Sequence, residues 1–369
     1  MRRILAICTS HIGGVLLTTP ALELLRRFYP QAEISVLVRK GTDAVLENNP
    51  LIKQVYTTGE ITSNQRMHVR TRSSLGKRLK QIPTGLKLVQ VLRRQRFDLA
   101  VNFSGSDRGA ILGFLSGSRE RIGYQSEHTF IGKRRMYTRL FAPPPEPRHK
   151  VLEHAGLVLQ FAGGKGASRA PVGPLVLKCS PENLAWAESE WQQSAGAGGP
   201  RVLIHPASRV AYKCWAPEKW VEVIGQLQKV FNPRLMVTCG PGAREIKMTE
   251  TIVGRGPAAP TARLGDLNLG QLTALIQKAD LFLGVDSAPM HIAAAVGTPV
   301  VALFGPSSDV LWGPWGEGHR IVRRSCSCLA SKKSLCSSEK GVDCLNQISA
   351  KDFYREIAAI LSQVPMAAA

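Results

Sequence analysis

The chain has no run of eighteen consecutive apolar residues, so nothing in it is long enough to cross a bilayer as a helix. Its opening, MRRILAICTSHIGG, carries two arginines and an apolar stretch that turns polar after Cys8. That is too short for a signal-peptide core, and no small-residue cleavage site follows. The stretch reads as a first β-strand. The chain is expected to stay in the cytoplasm, with its eight cysteines mostly thiols. Acidic residues are scarce: 27 Asp and Glu face 48 Lys and Arg, a net charge of +21. What is present is an ordinary apolar fraction, 44 %, which excludes disorder, and 369 residues, which suit two domains better than one core.

The charge is uneven. Residues 1–174 carry a net +17 and residues 175–369 only +4. One half therefore handles an anionic partner: nucleic acid, an anionic membrane face or a polyanionic substrate. The stretch 66–96 holds ten basic residues, among them Arg66, Arg70 and Arg72, and no acid. Within it, Leu79 to Leu92 has apolar spacing suited to a basic amphipathic helix, as membrane-surface segments have, although a solvated face would read the same. No aromatic interleaves it and no nucleic-acid module is recognisable, which disfavours nucleic acid.

Both halves alternate strands and helices, the pattern of βαβ units on a parallel sheet. In the first, Ile4–Ile7, Glu33–Val38, Val55–Tyr56 and Leu99–Phe103 read as strands, with a helix over Leu16–Phe28. In the second, Val202–Ile204, Leu235–Thr238, Leu281–Gly284 and Pro299–Phe304 read as strands, with helices over Pro217–Val230 and Pro289–Val296. The expected division is 1–170, 175–350 and a C-terminal helix and tail over 351–369, with a Gly- and Pro-rich linker over Gly163–Pro174. The proline run Pro143–Pro147 reads as a rigid loop of the first domain. Two doubly wound domains facing a cleft would bind ligands at the carboxyl ends of their strands.

Three segments fall at such ends. His11-Ile12-Gly13-Gly14 follows the first strand; it is either a tight turn or a place where backbone amides approach an anion, and its spacing is not the dinucleotide G-x-G-x-x-G. Pro206–Trp215 offers the Ser208 hydroxyl and the Lys213 cation, suited to a diphosphate, or it is a solvated loop over a packed Trp215. In Gly284–His291, Asp286 ends a strand, Ser287 can cap the next helix, and His291 falls in its first turn. That set could hold sugar hydroxyls and phosphate, or be a capped helix with a satisfied histidine.

Together, in this order, the segments resemble glycosyltransferase family 9, the ADP-heptose:lipopolysaccharide heptosyltransferases. ILAICTSHIGGVLLTTPALELLRRFYPQAEISVLV and GVDSAPMHIAAAVGTPVVALFGPS carry the likeness, with Arg121–Tyr124, the Lys213/Trp215 loop and Trp312–Pro314. It covers about residues 3 to 350, and the first block is most like the branch that adds the third, side-branch heptose. The resemblance implies a GT-B fold of two Rossmann-like domains, acceptor bound by the first and donor by the second. It also implies inverting transfer from ADP-heptose with no cofactor or metal required. Ser208 and Lys213 match donor-phosphate contacts, and Glu245 a position near the nucleotide. Asp286, Ser287, Ala288 and His291 match the signature that faces the heptose. The family usually has Thr-Gly where Ser287-Ala288 stands.

Gly14 is the sharper departure, because the family has an aspartate there that serves as the base. His11 is the candidate substitute, since an imidazole titrates near neutrality; the competing reading is a silent relative that binds sugar nucleotide or core saccharide without transfer. The resemblance further implies an anionic acceptor of the lipid A–Kdo–heptose type, met by Gly13, Arg66, Arg70 and Arg72. It implies a monomer peripheral on the cytoplasmic face of the inner membrane, with no nucleic acid bound. Cys326, Cys328, Cys336 and Cys344 are spaced C-x-C-x₇-C-x₇-C and could hold a structural zinc; free thiols are the alternative. Cys8, Cys179, Cys214 and Cys239 read as small core residues.

Overall fold

A computed structural model describes residues 1–58, 84–126, 132–163, 170–194, 199–255, 261–324 and 343–363. The chain forms two compact units. Unit 1 holds residues 1–43, 50–145 and 153–172; unit 2 holds 44–49, 146–152 and 173–369. The proline run thus sits where the chain passes between units rather than inside the first, because Glu146–Leu152 packs with unit 2.

Unit 1 has a parallel sheet of β1 (Arg3–Cys8), β2 (Glu33–Arg39), β3 (Ile52–Thr58), β4 (Leu99–Asn102), β5 (Glu120–Tyr124) and β6 (Arg139–Phe141), in the order β3-β2-β1-β4-β5-β6. Unit 2 has β7 (Arg201–His205), β8 (Arg234–Cys239), β9 (Thr261–Leu264), β10 (Leu281–Val285), β11 (Val300–Phe304) and β12 (Arg320–Arg323), ordered β12-β11-β10-β7-β8-β9. Counted within each unit, both orders are 3-2-1-4-5-6, the doubly wound Rossmann order. The central strands β7, β10 and β11 are apolar and buried almost throughout, as strands covered on both faces must be.

The expected helix Leu16–Phe28 is two helices, Ile12–Leu16 and Thr19–Phe28, since Pro20 has no N–H and begins a new helix at its first turn. The helices Pro217–Phe231 and Ala288–Ala295 lie where the spacing put them. Of the basic stretch, the helix Thr84–Arg94 is described and residues 59–83 lie outside the described residues, so Arg66, Arg70 and Arg72 do too. Leu88 and Leu92 pack it against the sheet with Leu5, Ile7, Leu37 and Phe97. The helix Ala350–Leu361 opens with a capping box, Ser349 with Asp352, and enters the unit 2 core. There Phe353, Trp215 and Trp220 meet edge-to-face at 5.4–5.6 Å, an arrangement that adds to their area burial. Among the described residues no helix is long and apolar enough to cross a membrane.

The motif Arg121-Ile122-Gly123-Tyr124 has structural reasons. A Cβ on Gly123 would meet the Tyr137 ring at 2.7 Å, the Tyr124 hydroxyl donates to the Glu153 carbonyl at 2.8 Å, and Arg121 donates to the carbonyls of Ser118 and Met136. Cys8 and Cys239 are buried as expected, whereas Cys179 and Cys214 are half-buried at loop positions. Burial pushes the Cys8 thiol up to about 11. Cys344 is buried; Cys326, Cys328 and Cys336 lie outside the described residues, and among those described no three metal-ligating side chains cluster.

An ion-pair group ties the helix Pro181–Gln193 to unit 2's sheet: Glu188 is bonded by Arg201 at 2.6 and 3.0 Å, with Lys278 at 3.3 Å. Arg201, then Lys278, hold the Glu188 carboxyl down at about 2. A depressed carboxyl contributes stability that is present above the unfolded value near 4.5 and is lost as pH falls toward 2. The urea midpoint of unit 2 should therefore fall between pH 5 and pH 2.5, and fall less in Glu188→Gln; equal falls would refute the assignment.

Candidate functional site

Unit 2 reverses its strand order between β7 and β10, and the groups named from the sequence gather at their carboxyl ends. The two strands pair with Ile204 opposite Leu283 and His205 opposite Gly284. Gly284 is required: a Cβ there would meet the Phe282 ring at 2.8 Å and the His205 carbonyl at 3.1 Å. With that register, Ser208 and Asp286 leave adjacent strands side by side.

Beyond β7 the chain runs through Ser208 to a short 3-10 turn, Ala211–Lys213. Trp215 anchors the far end; it is buried against Trp220 and Phe353, and its indole N–H donates to the Leu345 carbonyl at 3.1 Å. Ser208 is buried, and its hydroxyl oxygen accepts the Val210 N–H at 3.3 Å. Lys213 Nζ reaches Asp286 Oδ2 at 2.6 Å, with Asp286 only 5 % exposed. The lysine expected on a diphosphate and the carboxylate expected on a sugar are thus paired with each other.

Ser287 does not cap as expected. It occupies the N-cap of Ala288–Ala295, but its side chain makes no capping bond, and its buried Oγ has no partner among the described residues. His291, in the first turn, is buried, and its Nδ1 is likewise without a partner there. Burial first, opposed by Asp286 and supported by His149 and Lys213, lowers the imidazole to about 4, so it is neutral at physiological pH. Burial without a partner costs about 1–3 kcal/mol per atom, so these two polar atoms beside an ion pair have hydrogen-bonding capacity left for a ligand.

Glu245 lies on the helix Ala243–Arg255 after β8. Its carboxylate fills the room left by two glycines: Cβ atoms on Gly240 and Gly242 would meet its oxygens at 2.7 and 2.8 Å. Ala288 begins the helix beside Asp286. The site thus brings together Ser208, Lys213, Asp286, Ser287, Ala288 and His291, with Glu245 on the neighbouring strand end.

His149 lies in none of the sequence motifs. Its Nε2–H donates to the Gly313 carbonyl at 2.9 Å and its Nδ1 accepts the Val151 N–H at 3.2 Å, which fixes one neutral tautomer. Its ring stacks on Trp315 at 4.9 Å, so it holds the Trp312–Pro314 motif in place. Desolvation lowers its pKa.

In unit 1, His11 is exposed and stands at the N-cap of Ile12–Leu16, which contains buried Gly13 and half-buried Gly14. A Cβ on Gly14 would meet Ser10 Cβ at 2.7 Å, so Ser10 takes the room a larger residue would need.

The pattern of glycosyltransferase family 9 (heptosyltransferase) matches residues 85–341. Lipopolysaccharide heptosyltransferase 3 of Escherichia coli is 32 % identical over 83 % of this chain and 84 % of its own length. Among solved structures, a family 9 glycosyl transferase from Veillonella parvula DSM 2008 superposes with a TM-score of 0.77 at 20 % identity, covering 98 % of both chains. The E. coli ADP-heptose lps heptosyltransferase II does so with 0.74 at 21 %, covering 98 % of this chain and 99 % of its own. The fold is therefore the expected GT-B α/β fold.

Nuclear magnetic resonance can read the site's electrostatics directly. His291 should stay neutral from pH 8 to pH 5; Lys213→Met should raise its pKa and Asp286→Asn should lower it further. A His291 that titrates at its ordinary value of 6.5 would contradict the buried site.

Proposed function

The chain belongs to glycosyltransferase family 9, and from that premise we propose that it transfers L-glycero-D-manno-heptose from ADP-heptose to the lipopolysaccharide inner core, with inversion. The observation that carries the reading is the Lys213–Asp286 pair beside the open Ser287 Oγ and His291 Nδ1. A nucleotide sugar answers each group. Its diphosphate suits Lys213 and the Ser208 hydroxyl, its sugar hydroxyls suit Asp286, Ser287 and neutral His291 at the start of the Ala288 helix, and Glu245 stands toward the nucleotide. No metal or cofactor is assigned a role.

In the displacement, the acceptor hydroxyl oxygen bonds to the anomeric carbon as the bond from that carbon to the β-phosphate oxygen breaks. ADP leaves with the electron pair, its charge met by Lys213. The hydroxyl proton goes to His11, which takes the base role at the turn where Gly14 offers none. Gly13 and the arginines Arg66, Arg70 and Arg72 are assigned to the anionic acceptor of the lipid A–Kdo–heptose type, in keeping with the +17 on residues 1–174.

Single-turnover transfer from ADP-heptose to purified core acceptors tests this. His11→Asn should lower the chemical step by roughly 10²–10⁴ while leaving ADP binding unchanged. Gly14→Asp combined with Ser10→Gly, which clears the 2.7 Å contact, should restore it. ADP binding with no transfer to any acceptor would instead establish a silent binder, the reading that Gly14 favours.

The place of action in this proposal is an anionic membrane surface. Lys87, Arg93 and Arg94 are exposed on the helix Thr84–Arg94, beside Leu86 at 54 % exposure, a combination that favours such surfaces. The chain should co-sediment with phosphatidylglycerol vesicles at low salt, less at high salt, and less again as Lys87→Glu/Arg94→Glu. Retention indifferent to lipid charge would overturn this placement.

A further inference from the structure

The loop that presents Ser208 and Lys213 is held from the neighbouring strand end by a residue with no role in the site so far. Arg244 is the second residue of the helix Ala243–Arg255. Its Nη2 donates to the Ser208 carbonyl at 2.6 Å, and its Nη1 lies 4.0 Å from Cys214 Sγ. That thiol is stitched into the same loop, accepting the Ser208 N–H at 3.2 Å and donating to the Ser208 carbonyl at 3.4 Å.

A guanidinium has five N–H donors in a rigid fork, and these contacts occupy two of its nitrogens. Among the described residues no carboxylate comes within ion-pair distance of Arg244. Its neighbour Glu245 is folded under the Gly240–Gly242 turn. Lys213 is in the opposite condition, since Asp286 already matches its charge at 2.6 Å. Lys213 and Asp286 together sum to no charge, whereas the diphosphate of a nucleotide sugar carries two negative charges. Arg244 brings to the same strand ends an exposed cation with unused donors.

We propose that Arg244 is a diphosphate ligand that also latches the Ser208 loop: one edge of the guanidinium holds the Ser208 carbonyl and the other pairs with phosphate oxygens. The inference rests on the donor reading above. Arginine suits both tasks at once because its fork is planar and bidentate; a lysine would supply charge without the second bond.

Binding of ADP and of adenosine to the full chain, followed by calorimetry and by ligand-observed magnetic resonance, tests this. Arg244→Ala should weaken ADP roughly ten- to hundredfold and leave adenosine unchanged. Arg244→Lys should recover part of the loss, and Lys247→Ala, at an exposed position of the same helix, should match the parent chain. A direct charge on the diphosphate makes ADP affinity fall with added salt less steeply in Arg244→Ala than in the parent chain; an equal salt dependence would show that Arg244 only holds the loop, and that result overturns the inference. So does unchanged ADP affinity in Arg244→Ala when the parent chain binds ADP. Failure of the parent chain to bind ADP overturns the donor reading itself, and the inference with it.

Discussion

The Lys213–Asp286 ion pair depends on nearly every feature of unit 2. Its members are 73 residues apart, and they meet because β7 and β10 are neighbours in the sheet with His205 opposite Gly284. A one-residue slip would turn Asp286 to the other face of the sheet. The attraction of a close pair, roughly 4 kcal/mol at 4 Å near a surface, offsets part of the several kcal/mol that each ion loses on leaving water. Such a pair holds two opposite charges side by side at the carboxyl ends of β7 and β10. The rest of the site is arranged around it: Trp215 fixes the lysine's loop from beneath, and the Leu303 carbonyl takes the Asp286 N–H at 3.2 Å.

Much of this was legible in the sequence because the signals are local. Fully buried strands read as apolar runs, and the segments after β7 and β10 carry their polar groups within a few residues of the strand end. The paired proline and glycine that open and close the helix at Pro289 and Gly297 are equally local. What was not legible depends on partners far away in the chain. Arg244 gains meaning only from the Ser208 carbonyl 36 residues before it, and His149 only from Gly313, 164 residues later. Ser287 has the residue type of a cap, but with φ −154° and ψ 169° its hydroxyl makes no capping bond. The division into units was obscured for the same reason, since 44–49 and 146–152 join unit 2 through space rather than along the chain.

The two units share one strand order and differ in what stands at its reversal point. In unit 1 the groups beyond β1 and β4 satisfy one another. Thr9, Ser104 and Ser106 exchange hydrogen bonds at 2.9–3.2 Å, and Ser104 donates to Asn102, whose amide donates to the Tyr137 hydroxyl and the Ser106 carbonyl. Lys133 is buried against the Gly105 carbonyl and Asp107. A network closed in this way is rigid and asks for nothing. In unit 2 the corresponding place leaves Ser287 Oγ and His291 Nδ1 open. Fold alone does not assign function, and the two units, alike in strand order, differ in what their reversal points leave open.

The same contrast bears on Gly14. A family member without its aspartate could be an inactive binder, and unit 1's closed network would suit a scaffold. The room at Gly14 is taken by the Ser10 side chain, whose Cβ lies 2.7 Å from where a Gly14 Cβ would stand. His11 is exposed on the same turn, one residue from Ser10. The buried His205 and His291, both lowered to about 4 by desolvation, are weak bases at neutral pH.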